Sequence, residues 1–359
     1  MKNNNIYIHM KNIYIFFIFL SLSIFFFSTA ELKAKPFHIK NIEISKPFML
    51  SFDKNEVINE GFKKAFFELI YLIVNSSEQK KFKSTKLNEI KSMINSFTIE
   101  EEKFINDVYY VNLGVSFDKK KVFEYLEAKN TFPSIPDKKK FLFIPIIIDE
   151  KINELSIFSN NQIFDNWNEE NKSYYLIDYI LPTEDLEDLD LLKSKYEFIE
   201  QYDFKEIINK YGLKESIVAL IFKDKDGLRV LSRITIKNNI NLKNQLFKNV
   251  NIESEDQIKE VIEKLKTIYE DYWKNSNQIN TSIKLILTLK VSNYDNKKIS
   301  KFENILDETD FVYSYQISSF NKDHNYYKVI YNGTPKEFLN TMKEYNYTFD
   351  TQNKIWSLR

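Results

Sequence analysis

Phe141-Leu142-Phe143-Ile144-Pro145-Ile146-Ile147-Ile148 is an eight-residue run with no charged or hydrogen-bonding side chain. A strand with one wet face alternates apolar and polar residues. An unbroken run of this length suits a strand buried on both faces, as in a parallel sheet covered by helices. Pro145 lacks an N–H and removes one donor from the ladder.

The residues that follow extend this pattern. Tyr174 to Leu181 reads as a strand, and Pro182-Thr183 opens a helix rich in Asp, Glu and Leu. Phe204 to Tyr211 reads as a helix closed by Gly212 at its C-cap. Ser216 to Phe222 and Leu228 to Ile236 read as strands joined by a turn at Asp226-Gly227. Strands alternating with helices predict an α/β layered middle unit over residues 141–250.

Upstream, Thr131 to Lys140 (TFPSIPDKKK) holds two prolines and a lysine run and reads as a linker, 131–140. Before it lies an α+β N-terminal unit, 35–130. Phe37 to Ile44 alternates as a half-buried strand. Asn55 to Asn75 reads as a helix. Its second half is apolar nearly all round but too short to span a bilayer, so it is expected at the centre of a core. Leu87 to Phe97 has helical spacing, Val108 to Phe117 reads as a strand, and Lys119 to Ala128 as a short helix. The lysine triplets Lys119 to Lys121 and Lys138 to Lys140 each read as a solvated loop or a helix start.

Downstream, residues 251–359 predict a helix followed by a ferredoxin-like C-terminal unit. The helix spans Ser254 to Trp273, with Ser254 and Gln257 spaced as a capping box. Strands follow at 281–291, 312–320, 326–331 and 354–358, with helices at 297–306 and 335–345. Thr334, Pro335 and Glu337 mark the last helix start. The order β-α-β-β-α-β is the ferredoxin-like one. The fold class expected is therefore α/β and α+β, multi-domain.

Residues 1–34 read as a signal peptide. Lys2 and Lys11 precede an apolar run of 15 residues, Ile13 to Phe27, and the small residues Ser28, Thr29, Ala30 and Ala34 follow. Cleavage near Ala30 puts Ser28 and Ala30 in the small-residue positions; cleavage near Ala34 puts Leu32 in the first. Met1 and Met10 are alternative starts. A span needs about 17–20 apolar residues, so the run favours cleavage and release to the periplasm. The alternative is an inner-membrane anchor formed by Ile13 to Phe27.

Composition narrows the chemistry. The 359 residues hold 51 basic and 51 acidic side chains and no cysteine. Disulfides, thiol catalysis and sulfur-ligated metals are excluded. Only Arg229, Arg233 and Arg359 are arginine, which argues against nucleic acid as partner. The five glycines, Gly61, Gly114, Gly212, Gly227 and Gly333, form no phosphate-cradling loop, which argues against nucleotides. His9 falls in the signal segment, and His38 and His324 are expected at the surface. No catalytic, cofactor-binding or metal residue is assigned.

One cluster has two readings. Glu184, Asp185, Glu187, Asp188 and Asp190 could bind a cation or do acid–base work. The favoured reading is a helix first turn whose acids offset the positive end of the dipole, with Leu181, Leu186, Leu189 and Leu192 as its buried face.

Several stretches together resemble the proteobacterial envelope family called domain of unknown function 2066. They are Gly61 to Val74 with Val108 to Asp118, Phe141 to Ile148 leading into Asn161 to Trp167, Leu181 to Leu189 with Tyr211-Gly212, Trp273-Lys274, Tyr331 to Gly333, and Trp356 to Leu358. The resemblance covers nearly the whole mature chain. It implies a signal peptide and an envelope location, and carries no activity, cofactor or catalytic residue. The function expected is a non-catalytic periplasmic binding or scaffold protein whose partners are envelope proteins or the membrane surface. The alternative is a periplasmic hydrolase or carbohydrate-binding enzyme using Glu184 to Asp190, with Trp167 as a stacking platform.

Overall fold

β1 (His38–Pro47), α1 (Lys54–Ile73), α2 (Ser76–Gln79), α3 (Leu87–Met93), β2 (Ile94–Ile105), β3 (Val108–Phe117) and α4 (Lys119–Ala128) come first along the chain in this computed structural model. Residues 37–169, 172–224 and 227–359 are described. The export segment and Asp226 of the expected turn lie outside the described residues. β3 is the centre of an antiparallel sheet, order β1-β3-β2. α1 lies across one face and buries Phe62, Phe66, Leu69 and Ile73 against Ile42, Ile44, Leu113 and Val115. Gly61 is a point of close approach, where a Cβ would run into the Leu113 side chain. That contact explains a glycine inside a helix, where it costs about 1 kcal/mol against alanine.

The helix expected through Phe97 stops at Met93. Ile94 to Ile105 is instead a long edge strand, returned to β3 through Asn106 and Asp107, both at positive φ (49° and 57°). A two-residue turn with both φ positive is the hairpin type that matches strand twist. Leu87, Ile90, Met93, Ile94 and Phe97 mimic a helical stripe across the boundary. Phe97 reaches α1 from the strand, its ring 5.0 Å from Phe62. The consecutive charges Glu100, Glu101, Glu102 and Lys103 guard the open edge.

The middle elements are β4 (Lys139–Asp149), β5 (Glu154–Ser156), α5 (Gln162–Asn166), β6 (Ile177–Ile180), α6 (Leu186–Ser194), α7 (Lys205–Lys210), β7 (Ser216–Asp224), β8 (Gly227–Ile236), β9 (Asn239–Lys248) and α8 (Glu255–Ser276). The sheet order is β5-β4-β7-β8-β9, with β6 also on β4. β4 runs parallel to β6 and β7, and the rest is antiparallel. β4 is buried on both faces: Phe141, Phe143 and Ile147 face one core, Leu142, Ile144, Ile146 and Ile148 the other. β9, unassigned from the sequence, returns from β8 through Lys237 and Asn238, both at positive φ (49° and 66°).

Pro145 sits where β4 is paired on one side only, between the stretches held by β6 and β5. Asn161 fills that gap. Its Nδ2 donates to the carbonyls of Pro145 (3.0 Å) and Ile157 (2.9 Å), and its Oδ1 accepts from Phe164 N at the start of α5. Gly212 closes α7 with φ +62°, as a C′ glycine does.

β10 (Leu285–Ser292), α9 (Asn296–Glu308), β11 (Val312–Phe320), β12 (His324–Tyr331), α10 (Pro335–Glu344), β13 (Phe349–Asp350) and β14 (Ile355–Leu358) complete the chain. The sheet order is β11-β12-β10-β14-β13. The β-α-β-β-α-β order is present with one departure. A strand following α10 should run antiparallel to β10. The short β13 takes that direction at the outer edge, and β14 turns back into the slot beside β10, parallel to it. The Thr334–Glu337 capping box forms as expected. The one expected at Ser254 does not: Gln257 accepts from Asn251 N instead.

The described residues pack as one compact unit, and α8 makes contacts across it. The sequence division at residue 251 groups this helix with the C-terminal unit. Its contacts lie with the middle sheet, where Ile258, Val261, Leu265, Tyr269 and Trp273 pack on Phe141 and Val230. Its polar residues reach further. Lys274 Nζ donates to the carbonyls of Tyr71 and Val74, the last turn of α1, which has no basic residue of its own. Asp271 accepts from Ser76 N (2.8 Å) and Ser76 Oγ at the start of α2, which has no cap from Asn75. Glu270 accepts from the backbone N–H of Leu176 and Ile177 at 2.8–3.1 Å. The segment 131–140 is bound into the same junction rather than free. Ser134 N donates to Ile73 O, Ile135 N to Asn277 O, and Trp273 Nε1 to Asp137 O. Lys119, expected in a solvated loop or a helix start, opens α4 and donates to Thr309 O at the end of α9 (2.9 Å).

Removing the Lys274 ammonium takes from the Tyr71 carbonyl its side-chain donor, while Val74 O keeps Gln79 Nε2 at 3.0 Å, a loss of about 1–3 kcal/mol. Lys274→Met is therefore expected to lower the unfolding free energy by about that amount in urea titration with the m-value unchanged.

Candidate functional site

The bend between α1 and α2 faces α8 and the residues leading into β6. Between them opens a cleft of about 350 Å³. Three separate stretches supply its walls: Tyr71, Ser76, Gln79, Lys80 and Lys83; Lys172, Tyr174 and Tyr175; Thr267, Glu270, Asp271 and Lys274. The floor is charged but internally satisfied. Burial pushes the Glu270 carboxyl up, against the opposing pull of the N–H groups of Ile177 and Leu176. Burial pushes the Lys274 ammonium down. Both remain tied to backbone, so they build the cleft rather than face a visitor.

The rim differs. Lys80 and Lys83 are exposed. Lys172 pairs with Glu263 at 2.8 Å, and that bond holds its ammonium above its ordinary value. Tyr71 and Tyr174 lie together with ring centroids 5.1 Å apart, and burial drives the Tyr175 hydroxyl up to about 12. Lysines lining the same cleft as two tyrosine rings can hold a carboxylate and an apolar stem side by side. Sequence reading missed this site. Its residues come from stretches about 90 and 190 positions apart, and only the close spacing of Lys80, Lys81 and Lys83 hints at a basic edge.

The acidic cluster is placed elsewhere. Asp185 is the N-cap of α6 and accepts from Glu187 N. Lys210 bonds Asp185 (2.8 Å) and Asp188 (2.7 Å). The expected buried face of the helix is only part right. Leu192 is buried and Leu189 half-buried, but Leu186 is 79% exposed while Asp188 is 2% exposed. The helix starts at Leu186, later than Pro182-Thr183 implied, which rotates Asp188 inward and Leu186 out. Glu184, Glu187 and Asp190 are solvated.

Trp167 lies on the other face of the sheet from this helix. It is wholly buried, stacks on Phe143 with centroids 3.7 Å apart and meets Tyr179 edge-on. Lys266 Nζ lies 5.3 Å from its ring centroid. The acids and Trp167 therefore lie on opposite faces of the middle sheet. Among the described residues, no group of three His, Asp or Glu is placed to hold a metal ion. His38 Nδ1 lies 2.6 Å from Ser116 Oγ, its register partner across β1 and β3. His324 opens β12, its N–H on Asn321 Oδ1.

Lys210 holds the Asp185 carboxyl below the usual carboxylate range. A depressed folded pKa gives stability that is present above the unfolded value of about 3.9 and lost as pH falls through the folded value. Lys210→Met is expected to flatten that acid limb and to lower the thermal midpoint at neutral pH, because Asp188 is left buried without its cation. Melting curves of both proteins across the acid range check this. No family model matches the chain, and no curated protein is significantly similar to it.

Proposed function

We propose that this is an exported envelope protein that works by binding, and that the basic cleft holds an acidic segment of an envelope partner. Its rim carries this reading: Lys80, Lys83 and Lys172 line the opening together with Tyr71 and Tyr174. The floor carboxylates of Glu270 and Asp271 are occupied by backbone N–H groups and do not compete for the lysines. Export rests on Lys2, Lys11, the run Ile13 to Phe27 and Ala30, and agrees with a chain that uses no cysteine. Among the described residues no helix is long and apolar enough to cross a membrane. A periplasmic location after cleavage near Ala30 or Ala34 is the reading these features support, as is the resemblance to the envelope family.

A photo-crosslinking residue placed at Lys83 or at Tyr174 is expected to trap one envelope protein in living cells, and Lys80→Glu with Lys83→Glu to abolish the adduct. A cell in which neither position yields an adduct would overturn the reading. Amino-terminal sequencing of the recovered protein is expected to begin at Glu31 or Lys35.

A further inference from the structure

One end of the N-terminal sheet carries an apolar tip that the fold does not use. Phe48, Met49 and Leu50 follow β1 and are 51%, 66% and 112% exposed. Phe104 and Ile105 close β2 beside them and are 55% and 49% exposed. The two pieces form one patch: Phe48 N donates to Asp107 O, and the Phe48 ring lies 4.8 Å from Phe104 and 4.8 Å from Phe52. Phe52 in turn meets the buried Tyr109 at 5.0 Å, which anchors the tip to the core.

We propose that this tip inserts into the interfacial layer of a lipid bilayer. This goes beyond the cleft and depends on the exported reading only for which bilayer it meets. Three observations select lipid as occupant. The patch is built from a loop and a hairpin end with Leu50 fully exposed, so a yielding surface fits it better than a grooved one. Its exposed apolar area is roughly 500–700 Å², at about 200 Å² for a full side chain. That falls short of the ~800 Å² per partner of a standard protein interface. The lysines at its border are each paired, Lys46 with Glu60, Lys54 with Glu102 and Lys103 with Glu101, and Asp53 and Asp107 stand exposed beside them. Such a border offers nothing to draw anionic lipid, so a bilayer of no net charge fits it and binding should be indifferent to salt.

The absence of cysteine makes the test specific. Leu50→Cys in the full chain, labelled with an environment-sensitive dye, is expected to brighten and shift to the blue on vesicles of neutral phosphatidylcholine and phosphatidylethanolamine. Lipids carrying a shallow spin label should quench it. The response should be equal at low and high salt, and absent for the same dye at Lys343→Cys on α10. Phe104→Glu should abolish the shift at position 50 without moving the unfolding midpoint. Two results overturn the proposal: a dye at position 50 that stays in water while the protein sediments with vesicles, and a blue shift that grows with protein concentration when no lipid is present, which marks contact with a second copy. Neither result bears on the cleft, whose crosslink is read separately.

Discussion

Three consecutive polar contacts on one helix hold the described fold together. Glu270, Asp271 and Lys274 of α8 bind the start of β6, the start of α2 and the end of α1. Each of these backbone ends carries donors or acceptors that its own segment cannot satisfy. α1 ends without a basic residue, α2 begins without a side-chain cap, and β6 begins inside the protein. A helix between two layers can complete all three at once, because side chains three or four positions apart share a face. The apolar side of the same helix packs on the middle sheet through Leu265, Tyr269 and Trp273. Burying these charges is costly by itself. The cost is offset because every one meets groups that would otherwise be orphaned.

This junction also makes the cleft. Once Lys274 and Asp271 are drawn to the bend between α1 and α2, the following residues Lys80 and Lys83 must emerge beside α8. Lys172 and Tyr174 arrive there because Glu270 holds Leu176 and Ile177 a few residues on. The opening is a consequence of how the ends are capped. Its floor is fixed by hydrogen bonds that cannot be surrendered without loosening α1, whereas the exposed Lys80 and Lys83 stand on the rim outside that network.

Much of the architecture was legible because it rests on local pattern. The double-faced burial of β4 follows from an unbroken apolar run, and the α10 capping box from Thr334 and Glu337. Four strands went unassigned, the short β5 and β13 and the long β2 and β9, and the two long ones were hidden for opposite reasons. β2 begins with a spacing that imitates a helix and is exposed along nearly its whole length, so its pattern carries little burial signal. β9 alternates, but with Ile240, Leu242 and Leu246 exposed. The site was less legible than the fold. Lys274 and Tyr71 are 203 positions apart, and nothing near either residue announces the other. The acidic cluster misled for a related reason: its side chains were readable as a helix start, but whether Leu186 or Asp188 turned inward depended on a cap one residue away and on Lys210 from the next helix.

α1 links the two surfaces. Phe52 and the N-cap Asp53 place its first turn beside the apolar tip, and Tyr71 in its last turn lines the cleft. Twenty residues of α-helix span about 30 Å. The helix is pinned at its middle by Gly61 against Leu113 and at its end by Lys274, so tip and cleft cannot move independently. A protein resting its tip on a bilayer would hold the cleft at a set distance from that surface, of the order of the helix length or less as the helix tilts. A partner bound in the cleft would then be met at that height and not at the membrane itself. Such a geometry suits an acidic segment that stands clear of the lipid, and it explains how a neutral, apolar tip and a basic cleft can serve one molecule without drawing the same ligand.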